Sequence, residues 1–186
     1  MKILIVDNND SFTYNLAHLV EALDCEVKVV RSNLYHKDLA TDCDKIILSP
    51  GPGLPADWPE MQECIDQHIG KKPILGVCLG MQALCLRFGG ELYNQKIVKH
   101  GIQEEIKLQG ESVLLNGLPD SFEVGLYHSW ACDLTKTKDL KITSLSYSGV
   151  VMSFENVSSL VFAVQFHPES IMTELGFKII QNFLEQ

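Results

Sequence analysis

The first half of the chain alternates short apolar runs with stretches of helical periodicity. Residues 2–6, KILIV, form an apolar, β-branched run that reads as a central strand. DNNDSFTYNLAHLVEAL follows. Asp10 or Ser11 is placed to cap a helix whose apolar face is Phe12, Leu16, Leu19, Val20 and Leu23. EVKVV (26–30) and KIILS (45–49) read as further strands, the second running into PGPGLP. A helix is expected over 58–69, then a strand at PILGV (73–77), then a helix over 79–88 that stops at Gly89-Gly90. Strand and helix at this short spacing predict a parallel, doubly wound sheet.

The second half changes character. IQEEIKL, ESVLL, FEVGLYHSWACDL, KITSLSY and GVVMSFE are short strand-like pieces split by turn residues. They predict antiparallel strands added to one edge. SLVFAVQFHPES is an apolar strand with an abrupt polar end at His167. A last helix over 171–185 is expected to bury Ile171, Leu175, Ile179, Ile180 and Phe183. The expected fold is therefore α/β: a flavodoxin-like, mostly parallel sheet with antiparallel strands appended. One domain over residues 1–186 accommodates it.

Composition narrows the function. Hydrophobic residues are 46% of the 186, enough for a sizeable core. The net charge is -9, from 24 acidic and 15 basic residues, without a basic run. That is not the footprint of a nucleic-acid or anionic-membrane binder. The apolar run at the N-terminus ends at Asp7, too short for a secretory signal, and no stretch approaches the length of a membrane span. A cytoplasmic protein is expected. The six cysteines (25, 43, 64, 78, 85 and 132) include no CxxC pair and no zinc-ligand spacing, so no metal site is expected.

Most such cysteines are buried packing residues. Cys78 has a different context. PILGVCLGMQAL sets it between a strand and a helix, with Gly76 and Gly80 two residues away on each side. A G-x-C-x-G turn there is the cysteine form of a nucleophile elbow. The turn is too sharp for flanking side chains, and the helix N-terminus favours a thiolate. Glycines that merely allow close helix–strand packing are the competing explanation.

A thiolate needs a base, and the base needs an orienter. His18 falls in the first helix. His36 and His68 sit in polar settings and are expected to be exposed. His167 ends an apolar strand and precedes Pro168 and Glu169. Residues two apart in an extended segment share a side, so Glu169 reaches His167. Acyl transfer further needs an oxyanion hole. The Leu79 N–H is one donor. Gly53, in the rigid loop SPGPG (49–53), is expected to supply the other.

These residues bring out a resemblance. GVCLGMQ, SPGPG and QFHPES, in the order Cys, His, Glu, are similar to the class I (triad) glutamine amidotransferases, and the resemblance covers essentially the whole chain. DNNDSFTYNL resembles the DNYDSFTYNL stretch of the small subunits of anthranilate synthase and aminodeoxychorismate synthase. YHSW (127–130) resembles their YHSL. The resemblance implies that Cys78 attacks the glutamine side-chain amide, that His167 carries the proton and that Glu169 orients it. It assigns Gly53 and Leu79 to the oxyanion. It assigns Gly51, Pro52, Gly53, Gln82, Ser129 and Trp130 to glutamine binding. It further implies ammonia delivery to a chorismate-binding synthase subunit. No cofactor is implied in this chain; magnesium belongs to the partner's chemistry.

The sequence departs from that pattern at Asn9 (usually Tyr), Met81 (usually His) and Trp130 (usually Leu). Ile102 stands in place of a lysine after VKHG, and Leu126 in place of an arginine before YHS. The last two are expected in the region facing the synthase or the passage to it. Anthranilate and aminodeoxychorismate remain alternative products. Three competing readings stand beside this one. Another acceptor is disfavoured by the N-terminal motif. A non-catalytic module on the same fold would not need an intact triad. A stand-alone cysteine hydrolase lacks the separate FHPE strand end.

Overall fold

A computed structural model describes residues 1–186. β1 (Lys2–Asp7) carries apolar residues to both sides. Ile3 and Ile5 join one core layer, and Leu4 and Val6 the other. A strand buried on both faces reads as a continuous apolar run, as KILIV does. The neighbouring parallel strands are β2 (Glu26–Arg31), β3 (Lys45–Leu48), β4 (Ile74–Val77) and β9 (Val161–Val164), in the order β2-β1-β3-β4-β9. Helices α1 (Thr13–Glu21) and α4 (Gly176–Leu184) pack on one face, through Leu16, Val20, Ile179, Ile180 and Phe183. Helices α2 (Pro59–His68) and α3 (Leu79–Arg87) cover the other, through Met61, Cys64, Ile65, Leu84 and Cys85.

The antiparallel strands continue the same sheet beyond β9. They are β8 (Val151–Asn156), β7 (Lys141–Ser146), β5 (Glu91–Leu108) and β6 (Ser121–Asp133), for nine strands in all. No helix is long and apolar enough to cross a membrane. The α/β architecture with its appended antiparallel edge matches the expectation.

Several elements differ in detail. β5 runs for 18 residues, where the pattern marked only 102–108. Its first part is mostly exposed, so no alternation announces it. ESVLL is not a strand. The buried Glu155 carboxylate accepts the N–H groups of Val113 and Leu114 and the Ser112 hydroxyl, folding the segment into a turn. Neither Asp10 nor Ser11 is the cap residue of α1, which begins at Thr13. Instead the Asp10 carboxylate accepts the Phe12 N–H just ahead of the helix, and Thr13 Oγ1 donates to Asp7. The last helix starts at Gly176, not 171, and Ile171 is 94% exposed rather than buried. His68 is half-buried against the Tyr35 hydroxyl, at 3.0 Å, instead of exposed.

Candidate active site

The carboxyl ends of β1, β3, β4 and β9 meet at one edge, beside the point where the strand order reverses between β1 and β3. Open α/β sheets hold their sites there. Each of the four strands delivers one piece of the candidate site.

β4 delivers Cys78. Its backbone lies at φ 52°, ψ −100°, a left-handed conformation that a side chain adopts at a cost. The flanking glycines are required by contact. A Cβ on Gly76 would fall 2.6 Å from the Gly80 carbonyl, and one on Gly80 would fall 2.5 Å from the Leu48 carbonyl oxygen. The strand, the turn and α3 therefore close only around two glycines. Cys78 is 7% exposed and heads α3. Leu79 is the first residue of that helix, so its N–H has no carbonyl one turn back to bond.

β9 ends at Val164, three residues short of His167. His167 therefore stands in a turn and not at a strand end. The expected reason for its pairing, strand alternation, is replaced by turn geometry: the Ser170 N–H closes onto the His167 carbonyl at 3.1 Å. Within that turn Glu169 Oε1 lies 2.6 Å from His167 Nδ1, both side chains almost fully buried. Gly125 of β6 anchors the turn. Its carbonyl accepts the His167 N–H, and its N–H donates to Thr173, whose hydroxyl donates to the His167 carbonyl. Phe12 and Tyr127 present edges to the imidazole, with ring centroids 5.7 and 4.8 Å away.

His167 Nδ1 is committed to Glu169, while Nε2 is buried without a hydrogen-bond partner. Burial opposes a charge on this ring. The Cys78 sulfur and the Glu169 carboxylate outweigh it and raise the His167 pKa well above its ordinary value. The ring is thus poised to hold a proton taken from sulfur.

β3 delivers SPGPG. Gly51 packs where β1 and the elbow meet: a Cβ there would lie 2.7 Å from both Asn8 Cβ and Leu79 Cδ2. Gly53 is at φ 75°, and a Cβ would strike the Asp57 carboxylate at 2.5 Å. Pro52 is exposed, and its carbonyl accepts from Trp58 Nε1 at 3.0 Å. β1 delivers Asn8, which is fully buried. It donates its N–H to Ser49 Oγ at 2.8 Å and Nδ2 to the Ser49 carbonyl at 2.9 Å, fixing the base of the loop.

Gln82 and the Trp130 carbonyl are also brought together, with Ser129 next to Trp130 on β6. Ser129 and Trp130 are half-buried on β6. Gln82 is 4% exposed, and its Nε2 donates to the Trp130 carbonyl at 3.2 Å. Leu126, expected in the region facing the synthase or the passage to it, presents no side chain at the surface. β6 turns Phe122, Val124, Leu126 and His128 inward in alternation, so Leu126 lies fully buried in the core. Ile102, its neighbour on β5, is 42% exposed.

Sequence reasoning passed over Gln165, Asn8, His128 and Tyr127. Gln165 and Asn8 lie inside the recognised motifs, where polar residues beside apolar strands were the available signal. Five buried side-chain polar atoms lack a partner. Four belong to Asn8, His128, His167 and Glu169, a concentration typical of a working site. A cavity of about 790 Å³ lies elsewhere, among Glu111, Asp139, Glu155 and Asn182, beside the start of β9. It contains none of the residues named for the chemistry.

Comparison with known proteins agrees in fold and family. The family model for class-I glutamine amidotransferases matches residues 4–186. A candidate anthranilate synthase component II of Haemophilus influenzae is 41% identical over 185 residues, covering 99% of this chain and 96% of its own. Anthranilate synthase component 2 of Lactococcus lactis is 41% identical over 186 residues, covering 99% and 94%. A crystal structure of a candidate GMP synthase subunit from Thermoplasma acidophilum superimposes with a TM-score of 0.90 at 25% identity, over 100% of this chain and 92% of that one. The chain belongs to the class I glutamine amidotransferases.

Proposed function

We propose that this chain hydrolyses L-glutamine through a cysteine thioester and delivers the ammonia to a chorismate-binding synthase subunit, making anthranilate. The observation that carries the reading is the elbow cysteine beside a buried His–Glu pair. Cys78 gives its proton to His167 Nε2, and its thiolate attacks the side-chain amide carbon of glutamine. The oxyanion formed is held by the N–H groups of Leu79 and Gly53. His167 returns the proton to the nitrogen, the C–N bond breaks and ammonia leaves. Water, deprotonated by His167, then attacks the thioester, releasing glutamate and the thiol. Glu169 keeps the imidazole in the required tautomer. Gly51, Pro52, Gln82, Ser129 and Trp130 shape the glutamine pocket. No step here uses a metal; magnesium serves the synthase.

The names of the two relatives support anthranilate over aminodeoxychorismate as the product. A docking partner is supported by the apolar side chains left bare: Ile171 (94% exposed), Ile97 (75%), Val98 (61%) and Ile102 (42%). Ile171 follows Glu169 by two residues, and Gln103 bonds the Met172 carbonyl, so the exposed part of β5 and the catalytic turn share a side. An apolar surface of this kind calls for a partner.

The test mixes the chain with a synthase from the same source, glutamine, chorismate and magnesium, and follows anthranilate fluorescence. Glutamine-dependent anthranilate that disappears with Cys78→Ala supports the reading. Glutamine hydrolysis without anthranilate sends the search to aminodeoxychorismate. No hydrolysis with any synthase overturns the reading.

A further inference from the structure

We propose that Gln165 is a catalytic residue that stabilises the Cys78 thiolate, held in place by Gln82 through an amide relay that begins at the Trp130 carbonyl. The inference rests on the glutamine-hydrolysing reading above.

Gln165 follows β9 directly and is fully buried. Its Nε2 lies 3.5 Å from Cys78 Sγ. Its Oε1 lies 3.4 Å from Gln82 Nε2, and that same nitrogen lies 3.2 Å from the Trp130 carbonyl. The network decides which end of each amide faces where. The Trp130 carbonyl only accepts, so Gln82 turns its NH2 toward it. The second Gln82 hydrogen then meets the Gln165 oxygen. The Gln165 NH2 is thereby aimed at the sulfur. A donor held against sulfur favours the thiolate over the thiol. The backbone prevents retreat: the Gln165 N–H is committed to the Met152 carbonyl at 2.8 Å.

The other titratable groups around the sulfur are few. His167, backed by Glu169, acts on it from the catalytic turn. The thiol of Cys132 lies near it, paired with Cys85 between β6 and α3, and His128 stands close to His167. Gln165 is the neutral donor among them.

The experiment uses the full chain with Gln165→Leu and Gln165→Asn. Iodoacetamide alkylation of Cys78 is followed from pH 5 to 10, with peptide mass spectrometry to assign the site and thermal melting to check folding. Iodoacetamide needs no oxyanion hole, so it reports the thiolate alone. The Leu variant is expected to shift the alkylation midpoint up by about one pH unit. That lowers the rate about tenfold on the acid side, while the rates converge at high pH. Gln82→Leu is expected to shift the midpoint the same way by less. An unchanged midpoint in a folded Leu variant overturns the proposal, even where kcat falls, because Gln165 then only packs. Glutaminase assays of the wild-type chain, with and without the synthase, test the underlying reading separately. Their failure leaves the alkylation midpoint still measuring the Gln165 contact.

Discussion

His167 and His128 are both buried imidazoles, yet their surroundings drive them in opposite directions. The His167 pKa is raised: burial disfavours its charge, but Cys78 and Glu169 prevail. Its contribution to stability is complete below the unfolded value of about 6.5 and is lost as pH rises through the folded value. Glu169→Gln removes one of the raising partners. The His167 titration followed by NMR should move down in that variant, stability should fall most below about pH 6.5, and glutaminase kcat should fall about a hundredfold. His128 goes the other way. Burial first, then the positive charges of Lys99 and His167, push it down to about 4, against the pull of the Trp130 carbonyl. A base with a depressed folded pKa stabilises above about pH 6.5, and that stability is lost as pH falls toward 4. The loss is on the order of 2–3 kcal/mol. His128→Gln should flatten the decline in Tm between pH 7 and pH 4.5; an unaltered decline would rule this group out as the acid-sensitive one.

At the scale of elements, close approach governs two glycines and backbone conformation a third. Gly80 lets α3 start against β3, and Gly80→Ala drives a methyl into the Leu48 backbone. We expect a cost of about 3 kcal/mol in chemical denaturation, with loss of activity as the elbow opens. Gly176 opens α4. A Cβ there would sit 1.8 Å from the carbonyl oxygen of Pro168, the residue between His167 and Glu169. Gly176→Ala should therefore displace the His–Glu pair, and glutaminase should be lost from whatever protein still folds. Gly89 ends α3 at φ 79° with open space around it. Gly89→Ala should cost about 1 kcal/mol and leave kcat unchanged.

At the scale of the whole molecule, the long β5–β6 ribbon and the turn that carries His167 and Glu169 present bare apolar side chains while the sheet behind them is closed. Ile171 contributes nothing to the core. Ile171→Asp should leave thermal stability within about 0.5 kcal/mol of the original and the glutaminase of the isolated chain intact. It should weaken stimulation by the synthase, measured as glutamine hydrolysis against synthase concentration. Unaltered stimulation would place the partner on another face.

Legibility in the sequence followed the range of the interactions involved. The strands β1, β3 and β4 were legible because a strand buried on both faces must be continuously apolar. The elbow was legible because G-x-C-x-G is a local steric requirement. His167 and Glu169 lie two residues apart, so their pairing was within reach although its geometry, a turn, was not. The 91–101 part of β5 escaped because its exposed residues carry no period. ESVLL misled because its shape is imposed by Glu155, about forty residues on. Ile171 misled because a helix start depends on what packs against it, and the inward face of Leu126 is set in the same way. Gln165 reaches Cys78 across 87 residues. Short-range sterics and hydrophobic period thus belong to the chain as written. The inward face of β6, the seat of Pro168 on Gly176 and the amide aimed at sulfur arise only when distant segments compete for the same space and the same hydrogen bonds.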